Sequence, residues 1–170
     1  MSTATVVLHL PLAKCQDAGA EAIDLAVQRL RAIRDPFEKL GVRAAIENLP
    51  WASHTQEFFD TLFAEFDAGF LGFCYDSGHA VISGQQGLLA RHIDRLLVTH
   101  LHDNDGAADQ HRLPGQGKAD WPTIISTLKQ SRYAGPVNLE LNMPAGTDLG
   151  AFCGQARQIL DRLWNTGNPA

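Results

Sequence analysis

Five short apolar runs in this chain each end in a side chain that can bind a divalent metal ion. The runs span residues 5–9, 42–47, 70–76, 96–102 and 136–140, and they end in His9, Glu47, Asp76, His102 and Glu140. Carboxylate oxygens and imidazole nitrogens are common ligands of Zn, Mn, Co and Mg in proteins. If the five run ends meet in space, they form a single metal site.

The apolar runs predict the strands of a parallel sheet that is buried on both faces. They are continuous rather than alternating, and segments with helical periodicity separate them. Parallel strands joined by right-handed crossovers place their carboxyl ends at one rim, where α/β proteins carry their chemistry. The order is βα repeated five times, and no G-x-G-x-x-G follows the first run, so an arc of a (β/α) barrel is favoured over a dinucleotide-binding fold.

The intervening segments predict amphipathic helices. The first has apolar residues at three- and four-residue spacing and ends at Gly41; its apolar positions are Ile23, Val27, Leu30, Ile33 and Phe37. Ser53 and Gln56 have the spacing of a capping box, which predicts a helix over 54–68. Further helices are predicted over 87–94, from Asp120 through Leu128, and over 148–164.

Four of the run ends form the core of the predicted site: Glu47, Asp76, His102 and Glu140. Glu140 lies between two leucines, and a carboxylate in a buried apolar strand is costly unless a cation is near. His100 and His102 share strand parity and face the same side; His102 is nearer the predicted strand end, so we expect it to be the ligand and His100 a second or orienting residue. Three carboxylates and one imidazole favour Mn, Co or Mg over structural zinc.

Other histidines and acids widen the set of candidate ligands. His79 follows Asp76 by three residues across a tight Ser-Gly turn, and Asp109 and His111 lie on the long polar loop 103–118. With His9 they would make room for two or three ions, although a solvated Asp109–His111 pair and a core His9 remain alternatives. His54 and His92 lie in polar helical surroundings and are predicted to be on the surface.

Length and composition indicate one soluble domain over residues 1–170. The chain has 45% hydrophobic residues and a formal net charge of −5, and its basic residues are scattered. Nucleic-acid binding usually needs a concentrated basic face, so a nucleic-acid partner is not expected. No apolar stretch reaches the roughly 20 residues of a membrane span, and no leader is evident, so we expect a cytoplasmic location.

The three cysteines suit reduced thiols. Cys15, Cys74 and Cys153 are isolated, without C-x-x-C spacing, which is typical of a reducing compartment. Cys74 lies within an apolar run and is predicted to be a small core residue.

The ordered set of motifs resembles the xylose isomerase-like (β/α)8 barrel superfamily, which includes sugar and sugar-phosphate isomerases and epimerases and the endonuclease IV group of abasic-site nucleases. The matching segments cover nearly the whole chain in the order of the family: 46–48, 75–80, 100–105, 109–117 and 139–140. Each motif alone is weak, but the ordered set is specific.

The resemblance implies roles for individual residues. Glu47, Asp76, His102 and Glu140 would hold the shared divalent ion (Mn, Co, Mg or Zn). In the isomerase and epimerase branch, Glu47 and Glu140 would move a proton beside a carbonyl of a small carbohydrate substrate, and His79 would contact that substrate. In the nuclease branch, His9, His79, Asp109 and His111 would complete a zinc cluster that activates water against a phosphodiester.

The chain also departs from the family. Its five runs correspond to strands four to eight of the barrel, so the first three strands, and with them one histidine of the nuclease branch, have no counterpart. Five strands leave two open edges, which invites pairing with another copy or with a missing N-terminal segment. Three interpretations stay open: a metal-dependent isomerase or epimerase, a zinc-dependent abasic-site nuclease, and a barrel fragment without turnover.

Overall fold

The computed structural model describes residues 4–10, 20–51 and 53–166. Within them each of the four strands is followed by one or two helices. Their bounds are β1 Ala4–Leu8, α1 Ala20–Leu40, β2 Val42–Glu47, α2 Gln56–Glu65, β3 Leu71–Asp76, α3 Ser77–Ile82, α4 Leu88–Arg91, a 3₁₀ turn Ile93–Arg95, β4 Leu96–His100, α5 Trp121–Gln130 and α6 Leu149–Thr166. None of the described helices has both the length and the hydropathy needed to cross a bilayer.

The four strands form one parallel sheet in the order β1-β2-β3-β4. All six residues of β3 are buried, as are the last four of β2, because helices cover one face and the curled interior covers the other. The sheet is an incomplete (β/α) barrel, which confirms the predicted fold class. The carboxyl ends of β2, β3 and β4 therefore open on the same rim.

The fifth apolar run is not a full strand of this sheet. Residues 136–140 lie beside the end of β4 through one parallel bridge, between Leu101 and Leu139. The Asn138 N–H is bound by the Thr99 hydroxyl (3.0 Å) rather than by a backbone carbonyl. Pro136 has no N–H to donate, and the described residues offer no strand on the outer side, so a regular ladder does not form. Glu140 nevertheless lies next to the end of β4.

The predicted helices are present, with two corrections to their ends. Gly41 ends α1 with a positive φ of 64°, and the Asp120 side chain caps α5 by accepting from the Thr123 N–H, both as predicted. The capping box at Ser53 is wrong: Thr55 is the N-cap of α2, and its hydroxyl accepts from the Phe58 N–H at 3.2 Å. The helix also ends at Glu65, before residue 68, because the Asp67 carboxylate accepts from the N–H groups of the following turn.

The segment after Asp76 is a helix rather than the predicted tight turn. Asp76 is the N-cap of α3, and its Oδ1 accepts from the His79 N–H at 2.7 Å. The cap takes up an otherwise unpaired N–H of the first helical turn. One carboxylate thus ends β3, starts α3 and fixes the backbone of His79.

The prediction that His54 and His92 are surface residues is wrong, since both are buried. His54 Nδ1 accepts from the Leu49 N–H at 2.9 Å, and its ring stacks on Phe58 with the centroids 4.8 Å apart. His92 packs edge-on against Phe63, at a centroid distance of 5.0 Å. Both rings pack into a cluster of phenylalanine side chains. The prediction failed because the polar residues beside each histidine in the sequence indicated an exposed position.

Burial of His54 predicts a loss of stability in mild acid. Burial disfavours the charged ring and lowers the pKa of His54 to about 4, whereas an unfolded chain has its ordinary value near 6.5. The unfolded state therefore binds more protons between these values, and the free energy of unfolding falls as pH drops from about 6.5 towards 4. Relative to His54→Asn, whose amide oxygen can still accept from Leu49, the wild type should lose about 2 kcal/mol more between pH 7 and 5 in urea titrations.

The matched control for this comparison is Gln85→Ala. It removes only the hydrogen bond from the Gln85 amide to the His54 carbonyl (2.9 Å) and should lower stability equally at both pH values. An identical pH response in the wild type and His54→Asn would contradict a buried neutral ring.

Candidate metal centre

Glu47 at the end of β2 is surrounded by imidazoles. Its side chain is 2% exposed; Oε2 lies 2.9 Å from His9 Nε2 and 3.0 Å from His100 Nδ1, and Oε1 lies 3.2 Å from His79 Nδ1. Burial alone would raise the pKa of Glu47, but His100 and His79 hold it well below its usual range. Glu47 is therefore a buried carboxylate that stays ionised. His9, at 59% exposure, reaches it from the open edge of β1.

A second carboxylate reaches the same ring nitrogen. Glu140 Oε2 lies 3.1 Å from His100 Nδ1, and Asp76, His100 and Glu140 each offer a ligand atom within 4.8 Å of the others. His100 Nδ1 is buried, yet it makes no hydrogen bond of acceptable geometry with either carboxylate. Two acids and an unsatisfied ring nitrogen thus face one point, which is the arrangement that a shared cation would satisfy.

The predicted burial of Glu140 is wrong, because its side chain is 49% exposed. The run 136–140 lies at the edge of the sheet, and its outer side has no neighbour among the described residues. The cost of an unpaired buried charge therefore does not explain this residue. Its contact with His100 is the observation that links it to the site.

Asp76 connects the rim to the residues behind it. It is fully buried, and its Oδ1 lies 3.0 Å from His102 Nε2. Asn48 fixes its backbone: the Asn48 amide donates to the Asp76 carbonyl and accepts from the Asp76 N–H, both at 2.8 Å. The sequence analysis gave Asn48 no role of its own. The available signal was its position directly after Glu47, because a residue that follows β2 lies beside the end of the neighbouring strand β3.

His100 and His102 lie in different groups of candidate ligands. The prediction favoured His102 because the apolar run ends there, but β4 ends at His100. Glu47 and Glu140 converge on His100, whereas His102 is fully buried and groups with Asp76 and His79, and separately with Asp109 and His111. The rim of the sheet lies where the backbone pairing of β4 stops, at His100, and not where the apolar run stops, at His102.

The long loop brings Asp109 and His111 to a second group of imidazoles. Asp109 Oδ2 lies 3.2 Å from His79 Nε2 and 3.1 Å from His111 Nε2. The other nitrogen of each ring faces a carbonyl oxygen at 3.0 Å, that of Asn48 for His79 and that of Glu140 for His111. A carbonyl only accepts, so each Nδ1 donates a proton to its carbonyl, and each Nε2 faces the Asp109 Oδ2. At this position each Nε2 can donate a proton to Asp109 or, without that proton, share a cation with it.

Backbone and stacking geometry hold His111 in this position. Among the described non-glycine residues, His111 alone has a backbone φ in the left-handed region, at +49°. Its ring stacks on His102 with centroids 4.0 Å apart. Such strain is maintained only where surrounding contacts outweigh it, and it often marks functional positions.

The charge balance of the centre raises the pKa of its imidazoles. Burial alone would lower the pKa of His79, but Glu47, Asp76 and Asp109 outweigh it and raise the pKa to about 9. The Glu47 carboxylate likewise raises the pKa of His100, and Asp76 raises that of His102 against the effect of burial. The centre thus stabilises positive charge at several points, as a cation site should.

Asp103 anchors the loop that carries Asp109 and His111. Its fully buried carboxylate accepts from four N–H groups: those of Asn104 (3.0 Å), Gly115 (2.9 Å), Ala119 (3.0 Å) and the Trp121 indole (2.8 Å). These donors come from both ends of the loop, so one side chain holds it closed. The sequence alone predicted no role for Asp103 beyond its place at the start of the loop 103–118.

Comparison of sequences and structures places this chain among known barrels. An uncharacterized protein of Sinorhizobium fredii is 35% identical over 146 residues, which are 81% of this chain and 47% of that protein. An uncharacterized protein of Methanocaldococcus jannaschii is 26% identical over 129 residues, 71% of this chain and 44% of that protein. The chain therefore spans about half the length of the curated relatives it matches.

Solved structures share the fold. A D-tagatose 3-epimerase-like protein superposes with a TM-score of 0.74 at 22% identity, covering 95% of this chain and 63% of that one. A 3-keto-D-glucoside 4-epimerase from E. coli gives a TM-score of 0.61 at 17% identity, covering 91% of this chain and 63% of that one. The sequence model of one family, the xylose isomerase-like TIM barrel, matches residues 1–160. With parallel strands, a polar rim and this match, the chain belongs to the xylose isomerase-like TIM barrel family.

Proposed function

We propose that this chain carries the metal centre of a divalent-metal-dependent sugar or sugar-phosphate isomerase or epimerase that acts by proton transfer beside a carbonyl. The observation that supports this most is the convergence of the Glu47 and Glu140 carboxylates on His100 Nδ1, at 3.0 and 3.1 Å, with Asp76 in the same group. The epimerase names of two structural neighbours support the reaction class.

The donor set fits a divalent cation. We assign Glu47, Asp76, His100 and Glu140 as its ligands, with His102 behind Asp76 as an orienting residue. Three carboxylates and one imidazole suit Mn, Co or Mg, and Zn is also compatible with oxygen and nitrogen donors. When bound, such an ion polarises the carbonyl and hydroxyl oxygens of a substrate.

Proton transfer is assigned to the two glutamates. Glu47 is held ionised by its imidazole neighbours, and the half-exposed Glu140 reaches the same His100 Nδ1, so we assign both carboxylates to a substrate carbon held beside the ion. One carboxylate takes the proton beside the carbonyl and the other returns one, which is general acid–base chemistry. We assign contact with a substrate hydroxyl to His79, whose Nδ1 donates to the Asn48 carbonyl.

Solvent-exchange measurements test this proposal. The protein is loaded with Mn, Co or Mg and incubated in D₂O with a panel of ketoses, aldoses and their phosphates. We expect metal-dependent deuterium uptake at the carbon beside the carbonyl of at least one compound, followed by NMR or mass spectrometry. No uptake with any ion, in a preparation that binds the ion, would overturn the assignment.

A second candidate function is a zinc-dependent phosphodiesterase acting on abasic sites. The observation in its favour is that Nε2 of His79 and Nε2 of His111 both face Asp109 Oδ2, at 3.2 and 3.1 Å, an arrangement that fits an additional ion. This function predicts two or more zinc ions per chain by elemental analysis, with nicking of abasic duplex DNA that Asp109→Asn abolishes. A single zinc ion without nicking would exclude it. The net charge of −5 makes DNA the less favoured substrate.

A further inference from the structure

Cys74 lies directly beneath the proposed ion site. It pairs with Glu47 across β2 and β3, and it is two residues before Asp76 on β3, so all three side chains point to the same face of the sheet. The Cys74 side chain is fully buried, as predicted from the sequence. Its location beside the proposed ligands, however, indicates a role in addition to packing.

The sulfur is close to two of the proposed ligands. Cys74 Sγ lies 3.9 Å from Glu47 Oε2, and Glu47, Cys74 and His100 each offer a ligand atom within 4.8 Å of the others. Bonds to zinc are about 2.3 Å for sulfur and 2.0–2.2 Å for nitrogen and oxygen, so donors on one ion lie about 3.5 Å apart. Together with the 3.0 Å between Glu47 Oε2 and His100 Nδ1, these distances match a shared ion with little movement.

We propose that Cys74 is a sulfur ligand of this centre, which makes the site selective for soft ions such as Zn²⁺ and Co²⁺ over Mg²⁺. The inference rests on the proposed function because it uses the same ion. On binding, the Sγ–H bond breaks, the proton leaves to solvent, and the sulfur lone pair forms the bond to the ion. Thiolate sulfur binds Zn and Co strongly and Mg poorly, so one buried sulfur changes the preference of an otherwise oxygen-rich set.

Cobalt spectroscopy tests the sulfur bond independently of activity. Co²⁺ is titrated into a protein in which Cys15 and Cys153 are replaced by Ser, so that Cys74 is the remaining thiol. We expect a near-ultraviolet charge-transfer band of the cobalt–thiolate bond that saturates with bound Co²⁺. Introducing Cys74→Ser, or Cys74→Ala as a second variant, should remove the band and weaken Zn²⁺ binding about tenfold, with Mg²⁺ or Mn²⁺ binding changed less than twofold.

The matched control is the exposed Cys153, whose replacement alone should leave the band unchanged. Far-ultraviolet circular dichroism and retained Mn²⁺ binding establish that the Cys74 variants fold. Co²⁺ bound at one equivalent without the band, or a band that persists in Cys74→Ser, overturns the sulfur ligand and leaves the proposed isomerase intact. Absence of Co²⁺, Mn²⁺ and Mg²⁺ binding overturns both.

Discussion

Replacing Glu47 by Gln is expected to reduce metal-dependent proton exchange by roughly 10²- to 10⁴-fold. Glu47 is 2% exposed and lies within 3.2 Å of ring nitrogens of His9, His79 and His100. The amide keeps the volume of the side chain, but it removes the negative charge that holds these imidazoles and the proposed ion. A proposed proton acceptor and a proposed ligand are lost in one change, so both the rate and the affinity for the ion should fall.

Two measurements separate these effects. Isothermal titration gives the affinity for Mn²⁺, which we expect to fall at least tenfold, and exchange at saturating Mn²⁺ gives the loss in rate that remains. Glu21→Gln, on the exposed first turn of α1, is the control and should change neither quantity. Full exchange by Glu47→Gln at saturating ion would remove Glu47 from the chemistry and leave it as a ligand only. Unchanged affinity as well would show that the ion does not bind at this rim.

The strands could be predicted from the sequence because burial on both faces writes a continuous apolar run. The range of β2, residues 42–47, is the predicted one, and β3 begins one residue later than predicted. The ends of β4 and of the run 136–140 could not be read in this way. Leu101 is apolar but outside the regular ladder, and Thr99 satisfies backbone groups that a neighbouring strand would otherwise bind.

The sequence predicted the candidate ligands, but not how the structure groups them. Parallel topology brings every strand end to one rim, so Glu47, Asp76 and Glu140 were identifiable as neighbours. The choice between His100 and His102 depends on where the backbone pairing of β4 stops. The two residues face the same side of the strand, so the alternation of side chains does not decide between them. Supporting residues such as Asn48 act through backbone groups of another strand, and no spacing along the chain reports those contacts.

The two open edges of the four-stranded sheet explain the exposure of two residues of the centre. Glu140 and His9 are the most exposed members of the centre, and they lie beside the two edges of the four-stranded sheet. We expect further strands at these edges, from a second copy or from another segment, to bury both residues. That completion stays a prediction, and it would convert two exposed contacts into buried ones.

Replacing Asp103 by Asn is expected to destabilise the protein by about 3 kcal/mol. The carboxylate accepts four hydrogen bonds from the N–H groups of Asn104, Gly115, Ala119 and Trp121. The amide retains one accepting oxygen, and its NH₂ group turns towards donors that it cannot satisfy. At least one buried N–H therefore loses its partner, and the desolvation cost of that group is not recovered.

The same change should weaken the proposed second ion group without touching it. Asp103 closes the loop 103–118, and that loop alone carries Asp109 and His111 to His79. The loop packs tightly at Gly117, because a Cβ at that position would clash with Asp103 Oδ1 and with the Asn104 carbonyl. We therefore expect a larger loss of zinc affinity in the Asp109 group than in the group of Glu47 and His100.

Urea unfolding and zinc titration of Asp103→Asn measure the two effects. Asp94→Asn, an exposed acid on the 3₁₀ turn before β4, is the control and should change stability by less than about 0.5 kcal/mol. Equal losses of affinity in both groups would mean that the mutation acts through general destabilisation. A selective loss of zinc affinity at His79 and His111 would show that Asp103, a buried carboxylate with no ligand role, determines the position of Asp109. The reason is that four N–H donors from both ends of the loop bind this one side chain.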